Sequence, residues 1–82
     1  MPNTFHIDIL APDKKVFSGD ALSATVPAEY GYMGILANHA PLLACLAKGK
    51  ITVKDSAESV KTFDVPDTGF VEILKNNVTI IL

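Results

Sequence analysis

The chain has 82 residues, of which 49% are hydrophobic and 20% are charged, and its formal net charge is −2. This length suits one domain with a single hydrophobic core, and so apolar a composition is expected to leave hydrophobic side chains on the surface, as at a partner interface. The basic residues are all lysines. Nucleic-acid recognition favours arginine and clustered positive charge, so the composition argues against binding to DNA, RNA or anionic lipid.

The cellular location is indicated by the single cysteine and by the N-terminus. Cys45 has no partner for an internal disulfide, as expected in a reducing compartment. No apolar run reaches the roughly 18–20 residues that span a bilayer, and the first residues lack the basic start and apolar stretch of a signal peptide. The sequence predicts a cytoplasmic chain that works beside a membrane only through partners.

The first third of the chain alternates between apolar and polar residues, which is the period of a half-buried strand. Proline and glycine interrupt this pattern, because proline donates no ladder hydrogen bond and glycine favours turns. The predicted elements are strands at Phe5–Leu10, Lys14–Ser18 and Leu22–Val26, with turns at Ala11–Asp13 and Gly19–Asp20 and a stop at Pro27.

The rest of the chain continues this pattern, with one ambiguous stretch. Leu42–Leu46 contains strong helix formers, follows a proline and precedes a glycine, so local propensity favours a short helix. The other predicted elements are a loop at Glu29–Gly31, strands at Tyr32–Leu36, Lys50–Lys54, Val60–Val65, Phe70–Leu74 and Val78–Leu82, and a hairpin turn at Lys75–Asn77, where both asparagines tolerate positive φ. Short strands with turns every 8–12 residues are typical of an antiparallel sandwich or barrel.

Residues that could carry catalysis or bind a metal are few. His6 and His39 are far apart in sequence, and one cysteine with two distant histidines does not make a zinc site. Cys45 and His39 could form a nucleophile and base, as in a hydrolase, but Cys45 lies in an apolar run and is predicted to be a small buried hydrophobe. Asp8 and Glu72 are interpreted as solvent-facing carboxylates. No catalytic, cofactor or metal site is predicted.

Several short motifs resemble the epsilon subunit of F-type ATP synthases, whose mitochondrial counterpart is called delta. They are Phe17-Ser18-Gly19, the G-x-x-G-I-L pattern of Gly31–Leu36, His-Ala-Pro-Leu-Leu at His39–Leu43, Lys48-Gly49, Gly69–Ile73 and Asn77–Thr79. Two positions depart from the family pattern. Ala37-Asn38 replaces the usual proline-glycine, although asparagine can also adopt positive φ. Tyr32 stands where an acidic residue is frequent.

The resemblance implies a flattened antiparallel β-sandwich of two roughly five-stranded sheets, with residues 1–82 forming a single N-terminal domain. It also implies a strand at Leu42–Leu46, against local propensity. The implied function is that of a non-catalytic central-stalk subunit that binds gamma and the c-ring and couples proton-driven rotation to ATP synthesis. Such a subunit lies peripherally on the cytoplasmic face of the bacterial plasma membrane.

The resemblance also implies which residues bind partners. The gamma-binding candidates are His39, Ala40, Pro41, Leu42 and Ala44, and the c-ring candidates are Glu29, Tyr30, Gly31, Tyr32 and Met33. The apolar side chains between Tyr30 and Leu43 are expected to form one docking surface.

Two further expectations remain. Longer family members continue into a C-terminal helical hairpin that inhibits ATP hydrolysis and in some members binds ATP, so a chain ending at Leu82 is expected to bind no nucleotide. The alternative function is a free-standing β-domain that binds a peptide or carbohydrate through Tyr30 and Tyr32.

Overall fold

The computed structural model describes residues 3–55, 57 and 59–82, and this part of the chain contains β-strands and no helix. The strands are β1 (Phe5–Ala11), β2 (Lys14–Ala21), β3 (Ser23–Ala28), β4 (Gly31–Leu36), β5 (Leu42–Leu46), β6 (Gly49–Lys54), β7 (Val60–Val65), β8 (Gly69–Leu74) and β9 (Asn77–Ile81).

The nine strands of this part of the chain form one hydrogen-bonded sheet, which folds over at the β3–β5 contact into two layers. The first layer, called sheet I, has the order β2-β1-β9-β8-β5, and the second, called sheet II, has the order β4-β3-β6-β7. The two are connected through the single pair Ala28–Leu46 between β3 and β5. The predicted β-sandwich is therefore confirmed as a fold class, although these nine strands form one folded sheet, with five strands in one layer and four in the other, instead of two separate sheets of about five.

One strand pair runs parallel, although only antiparallel pairing was predicted. β1 pairs with β9 in parallel, from His6–Asn77 to Leu10–Ile81. Antiparallel neighbours can be joined by tight turns, whereas parallel neighbours need a long connection. Here the connection is the whole intervening chain, so turn spacing could not reveal this pair.

The core lies between the two sheets and is formed by alternate residues of the strands. Sheet I contributes the inward positions of β1, β8 and β9, and sheet II contributes those of β3, β4 and β6. No polar or charged residue is buried in the described part of the chain. The buried apolar residues are Phe5, Ile7, Ile9, Ala21, Ala24, Val26, Ile35, Leu46, Ile51, Val53, Val65, Val71, Ile73, Val78 and Ile80.

The connections between strands divide between two ends of the sandwich. The pairs Ala28–Gly31 and Leu46–Gly69 close one end, which holds the β3–β4 turn and is called the Tyr30 end. The pair Leu74–Asn77 closes the other, which also holds the β4–β5 loop and is called the His39 end. Because β5 runs between the two ends, it connects the two predicted partner-binding segments.

The conflict at Leu42–Leu46 between local propensity and family resemblance is resolved in favour of the strand. All five residues pair in register with β8, from Leu42–Ile73 to Leu46–Gly69. The strand buries Leu46 and packs Leu42 and Ala44 against the core. This tertiary packing outweighs the helix propensity of the segment.

Two predicted strand boundaries were wrong by more than one residue, and one turn differs in its backbone conformation. β2 continues through Gly19–Asp20, which were expected to turn, because β1 pairs with it as far as Phe5–Ala21. β3 includes Pro27, which was expected to end it. In the last hairpin, positive φ occurs at Lys75 (49°) and Asn76 (63°) and not at both asparagines. The positive φ allowed for Asn38 is confirmed, at 62°.

Candidate partner-binding surface

The outer face of sheet I carries several exposed apolar side chains, three of which form an uninterrupted row across the strands. Alternation along β5, β8 and β9 directs them away from the core, and Cys45, Phe70 and Ile81 lie side by side in register across these three strands. This set is called the apolar face, and its members are Leu43, Cys45, Phe70, Leu74 and Ile81. Glu72 lies on the same face, beside Leu43 and between this row and Leu74. Exposed apolar side chains that lie next to one another, as in the row, are typical of an interaction site.

The outer face of sheet II is more polar. Its strands direct serine, threonine and lysine outward, and Lys50 Nζ lies 2.8 Å from Asp64 Oδ1. This hydrogen bond and the Asp64 charge raise the pKa of Lys50. Leu36 and Val60 are exposed here, but Ser23 and Lys54 lie between them in the sheet. Separated apolar residues of this sort are ordinary on a protein surface.

The structure places the predicted gamma-binding residues of β5 on the inner side of the strand. Leu42 and Ala44 pack against the core, whereas Leu43 and Cys45 face outward. The prediction that Cys45 is buried was wrong. Leu46 faces the core, so a residue one position away must face the opposite side of the sheet.

The other predicted gamma-binding residues form the β4–β5 loop at the His39 end. Ala40 and Pro41 are exposed, and His39 is half-buried. His39 Nδ1 donates a hydrogen bond to the Ala40 carbonyl oxygen at 2.7 Å, which fixes the ring against its own loop. The loop borders Leu74 across a groove, so it extends the apolar face toward this end.

The predicted c-ring residues lie in the β3–β4 hairpin, and only its tip protrudes. The Tyr30 side chain is fully exposed, and Gly31 has a φ of 129°. The Tyr32 hydroxyl accepts a hydrogen bond from the Lys50 amide at 3.2 Å. Met33 packs against the core. Tyr30 is therefore the residue of this hairpin that is most accessible to a partner.

The hairpin and the apolar face meet at the Tyr30 end. The Glu29 amide donates to the Cys45 carbonyl oxygen at 3.3 Å. A cavity of about 270 Å³ lies between them, lined in part by Glu29, Tyr30, Leu43 and Cys45. A partner on the apolar face and a partner at the hairpin tip would thus lie next to each other.

The expectation of a single docking surface from Tyr30 to Leu43 was wrong. Tyr32 and Leu36 lie on the outer side of sheet II, Ile35 is buried, and Leu43 lies on the outer side of sheet I. Strand alternation and the change of sheet between β4 and β5 distribute these residues over two faces and the core.

None of the five residues of the apolar face was among the predicted gamma or c-ring contacts, and three of them lie far from the predicted segments in sequence. Phe70, Leu74 and Ile81 come from the last two strands, which the sequence interpretation used only as evidence for the fold. Their exposure was signalled by alternation, since Phe70, Glu72 and Leu74 share the face opposite Val71 and Ile73. The presence of Glu72 among them indicates the solvent side.

A polar network occupies the outer side of β1 and β2. His6 Nδ1 lies 3.3 Å from Asp20 Oδ1, and its Nε2 lies 3.3 Å from Asp8 Oδ2 and 3.4 Å from Ser18 Oγ. The hydrogen bond from Ser18, together with the His6 and Lys15 charges, lowers the pKa of Asp8. The His6 ring thus lies between a carboxylate on its Nδ1 side and a carboxylate on its Nε2 side, on the outer surface of β1 and β2.

No site for a metal ion is evident in the part of the chain that the structure describes, where no three His, Cys, Asp or Glu side chains converge suitably. The same residues contain no helix long and apolar enough to cross a membrane.

Known proteins resemble this chain over nearly its full length. The epsilon chain of ATP synthase from Caulobacter vibrioides is 40% identical over 76 residues, which are 93% of this chain and 86% of that one. The corresponding chains from Maricaulis maris and Dichelobacter nodosus are 35% and 39% identical, and this chain spans only 59% and 56% of their lengths.

Solved structures share the fold at lower sequence identity. A chain of the Euglena gracilis mitochondrial ATP synthase, from a structure of OSCP, F1 and the c-ring, superposes with a TM-score of 0.89 at 20% identity, covering 99% of this chain and 51% of that one. A chain of the Tetrahymena thermophila central stalk and c-ring gives 0.79 at 18% identity, covering 93% and 60%. The family described as ATP synthase, Delta/Epsilon chain, beta-sandwich domain matches residues 4–82. The chain therefore belongs to the ATP synthase delta/epsilon family, as the motifs around His39–Leu43 indicated.

Proposed function

We propose that this chain is a non-catalytic rotor subunit of an F-type ATP synthase, with the apolar face of sheet I as its gamma-binding surface. The observation that carries the proposal is the unequal distribution of exposed apolar side chains. Cys45, Phe70 and Ile81 are direct neighbours on sheet I, whereas the exposed apolar residues of sheet II are separated by polar ones. Interface centres are depleted of charge and enriched in aromatic residues, which fits the Phe70 region.

The same proposal assigns the c-ring contact to the tip of the β3–β4 hairpin. Tyr30 is fully exposed there, and an amphipathic tyrosine is well suited to a contact that is part apolar and part wet. The Tetrahymena thermophila structure, one chain of which shares this fold, contains a central stalk and a c-ring, and the Euglena gracilis structure also contains a c-ring. The cavity between the hairpin and Leu43 makes the two contact regions continuous.

Coupling of proton-driven rotation requires a stiff part, and the fold supports this role. Each described strand is paired with at least one neighbour, and a buried apolar core joins the two sheets. A rigid block that holds gamma on one face and the ring at one end can transmit torque without chemistry of its own. The subunit would then lie at the cytoplasmic face of a bacterial plasma membrane, attached through its partners.

The experiment is affinity purification of the tagged chain from detergent-solubilised membranes of its own cell. Recovery of gamma and c-ring subunits is the expected result. Recovery of the chain as a soluble monomer with a peptide or carbohydrate, and without gamma, would contradict the proposal and support the binding-module alternative.

A further inference from the structure

Asn76 joins three separate segments at the His39 end. Its side-chain Oδ1 accepts a hydrogen bond from the Asn38 amide at 2.7 Å, and its Nδ2 donates to the Thr4 carbonyl oxygen at 2.7 Å. Its own carbonyl oxygen accepts from the His6 amide at 3.2 Å. The β8–β9 hairpin is thereby bonded both to the start of β1 and to the β4–β5 loop.

The side-chain bonds demand an asparagine at this position. Rotating the amide by 180° would direct NH₂ at the Asn38 amide and oxygen at the Thr4 carbonyl, so only one orientation makes both bonds. The backbone φ is +63°, which asparagine tolerates better than most residues with a side chain. Glycine would supply this φ but neither bond, so the backbone requirement alone does not account for the arrangement.

The bond to Asn38 acts at the residue that directs the β4–β5 loop. Asn38 also has a positive φ, of 62°, and it immediately precedes the exposed His39–Pro41 segment. The amide of a residue in this conformation has no strand partner, so Asn76 supplies the acceptor. The loop and the hairpin face each other across a cavity of about 560 Å³ that also contacts Leu74 of the apolar face.

We propose that Asn76 is a positioning residue that holds the His39–Pro41 loop beside Leu74, so that the loop and the apolar face meet gamma as one preformed surface. This inference rests on the proposed function. A loop already held in its bound position loses less conformational freedom on association, which favours binding. The role belongs to the Oδ1–Asn38 bond, since the Thr4 bond reaches only the N-terminal strand.

Two substitutions separate the two bonds. Asn76→Gly keeps the positive φ and removes both bonds, whereas Asn76→Asp keeps an acceptor for the Asn38 amide and replaces the donor to Thr4 with an oxygen that repels the Thr4 carbonyl. The matched control is Asn77→Ala in the same hairpin. Within the described residues, the Asn77 side chain donates a hydrogen bond to the Lys75 carbonyl oxygen at 3.1 Å and makes none to the β4–β5 loop.

The first measurement is hydrogen exchange of the Asn38 amide by NMR in the isolated chain. Asn76→Gly is expected to accelerate exchange about fivefold, the factor that corresponds to a typical net hydrogen bond. Asn76→Asp and Asn77→Ala are expected to leave it within a factor of about two. Unchanged exchange in Asn76→Gly would overturn the inference without affecting the proposed function.

The second measurement is the affinity of each variant for immobilised gamma subunit of the same ATP synthase. Asn76→Gly is expected to weaken binding to gamma about fivefold, and Asn76→Asp is expected to bind gamma as the unmodified chain does. Across the variants, the affinity for gamma should correlate with the exchange rate of the Asn38 amide and not with the melting temperature. Faster exchange with unchanged affinity would also overturn the inference. If the unmodified chain failed to bind gamma, the proposed function would be wrong, and so would the part of this inference that concerns affinity. Hydrogen exchange of the Asn38 amide would still decide whether Asn76 holds the loop.

Discussion

The substitution Leu43→Ala tests whether the outer face of sheet I is the gamma-binding surface. The Leu43 side chain is 71% exposed, so it contributes little to the fold and much to any surface that covers it. Truncation to alanine removes three carbons, each worth about 0.8 kcal/mol when buried. Scaled by the exposed fraction, the loss on binding is about 1.7 kcal/mol, or about fifteenfold in Kd.

Leu36→Ala is the matched control. Leu36 is 65% exposed, and it lies on the outer side of sheet II in the register position opposite Ser23. The same three carbons are removed in both variants, so any general effect of a less apolar surface is shared. Each variant is expected to change the free energy of unfolding by less than about 1 kcal/mol.

The assay is titration of each variant against purified gamma, with a urea melt of the variant alone. The expected result is about fifteenfold weaker binding for Leu43→Ala and an unchanged Kd for Leu36→Ala. Equal losses in the two variants, or a loss confined to Leu36→Ala, would refute the assignment of gamma to sheet I.

Three other predictions concern the fold and its ionised groups. Gly69→Ala would place a Cβ 2.6 Å from the backbone oxygen at the end of β9 and is expected to lower the free energy of unfolding by about 1–3 kcal/mol in a urea melt. Gly34→Ala, whose Cβ would have no atom within 4 Å, should lower it by less than about 1 kcal/mol. Equal effects of the two substitutions would contradict this. Ser18→Ala is expected to raise the pKa of Asp8 toward its ordinary value in an NMR titration. Because the folded-state pKa of Asp8 is lowered, its contribution to stability is present above its ordinary pKa and is lost as the pH falls through the lowered one. The loss of stability in Ser18→Ala should therefore disappear in acid. A titration of Asp8 unchanged from the parent chain would refute the Ser18 bond. Tyr32→Phe removes the hydroxyl that accepts from the β6 amide and is expected to lower stability by about 1 kcal/mol by calorimetry; an unchanged melt would show that water replaces the hydroxyl.

Much of the fold could be predicted from local alternation, because one buried face imposes a period of two on each strand. The first strand and the Phe70–Leu74 strand were correctly interpreted on this basis. Local signals failed where long-range pairing decides the outcome. Leu42–Leu46 is a strand because β8 pairs with all of it, and Gly19–Asp20 are strand residues because β1 continues beside them.

The candidate surface was predicted less well than the fold. Alternation gives two sides of a strand, but the sequence does not say which side meets the opposite sheet unless a charged residue marks the solvent. Leu42–Leu46 contains no charge, so its sequence does not show that Leu43 and Cys45 face outward, and Leu42 and Ala44 were predicted as gamma contacts from the family resemblance. Asn76 was interpreted only as a turn residue, because its bonds to Thr4 and Asn38 join positions distant in sequence.

Thiol labelling of Cys45 tests the central claim most directly, because this natural side chain lies on the apolar face directly beside Phe70. A maleimide should react with the isolated folded chain at close to the rate of an exposed thiol. When gamma is bound, the rate should fall by about tenfold or more, since interface centres exclude solvent. An equal rate in the isolated chain and in the purified complex with gamma would contradict the account, because the surface proposed to bind gamma would still be open.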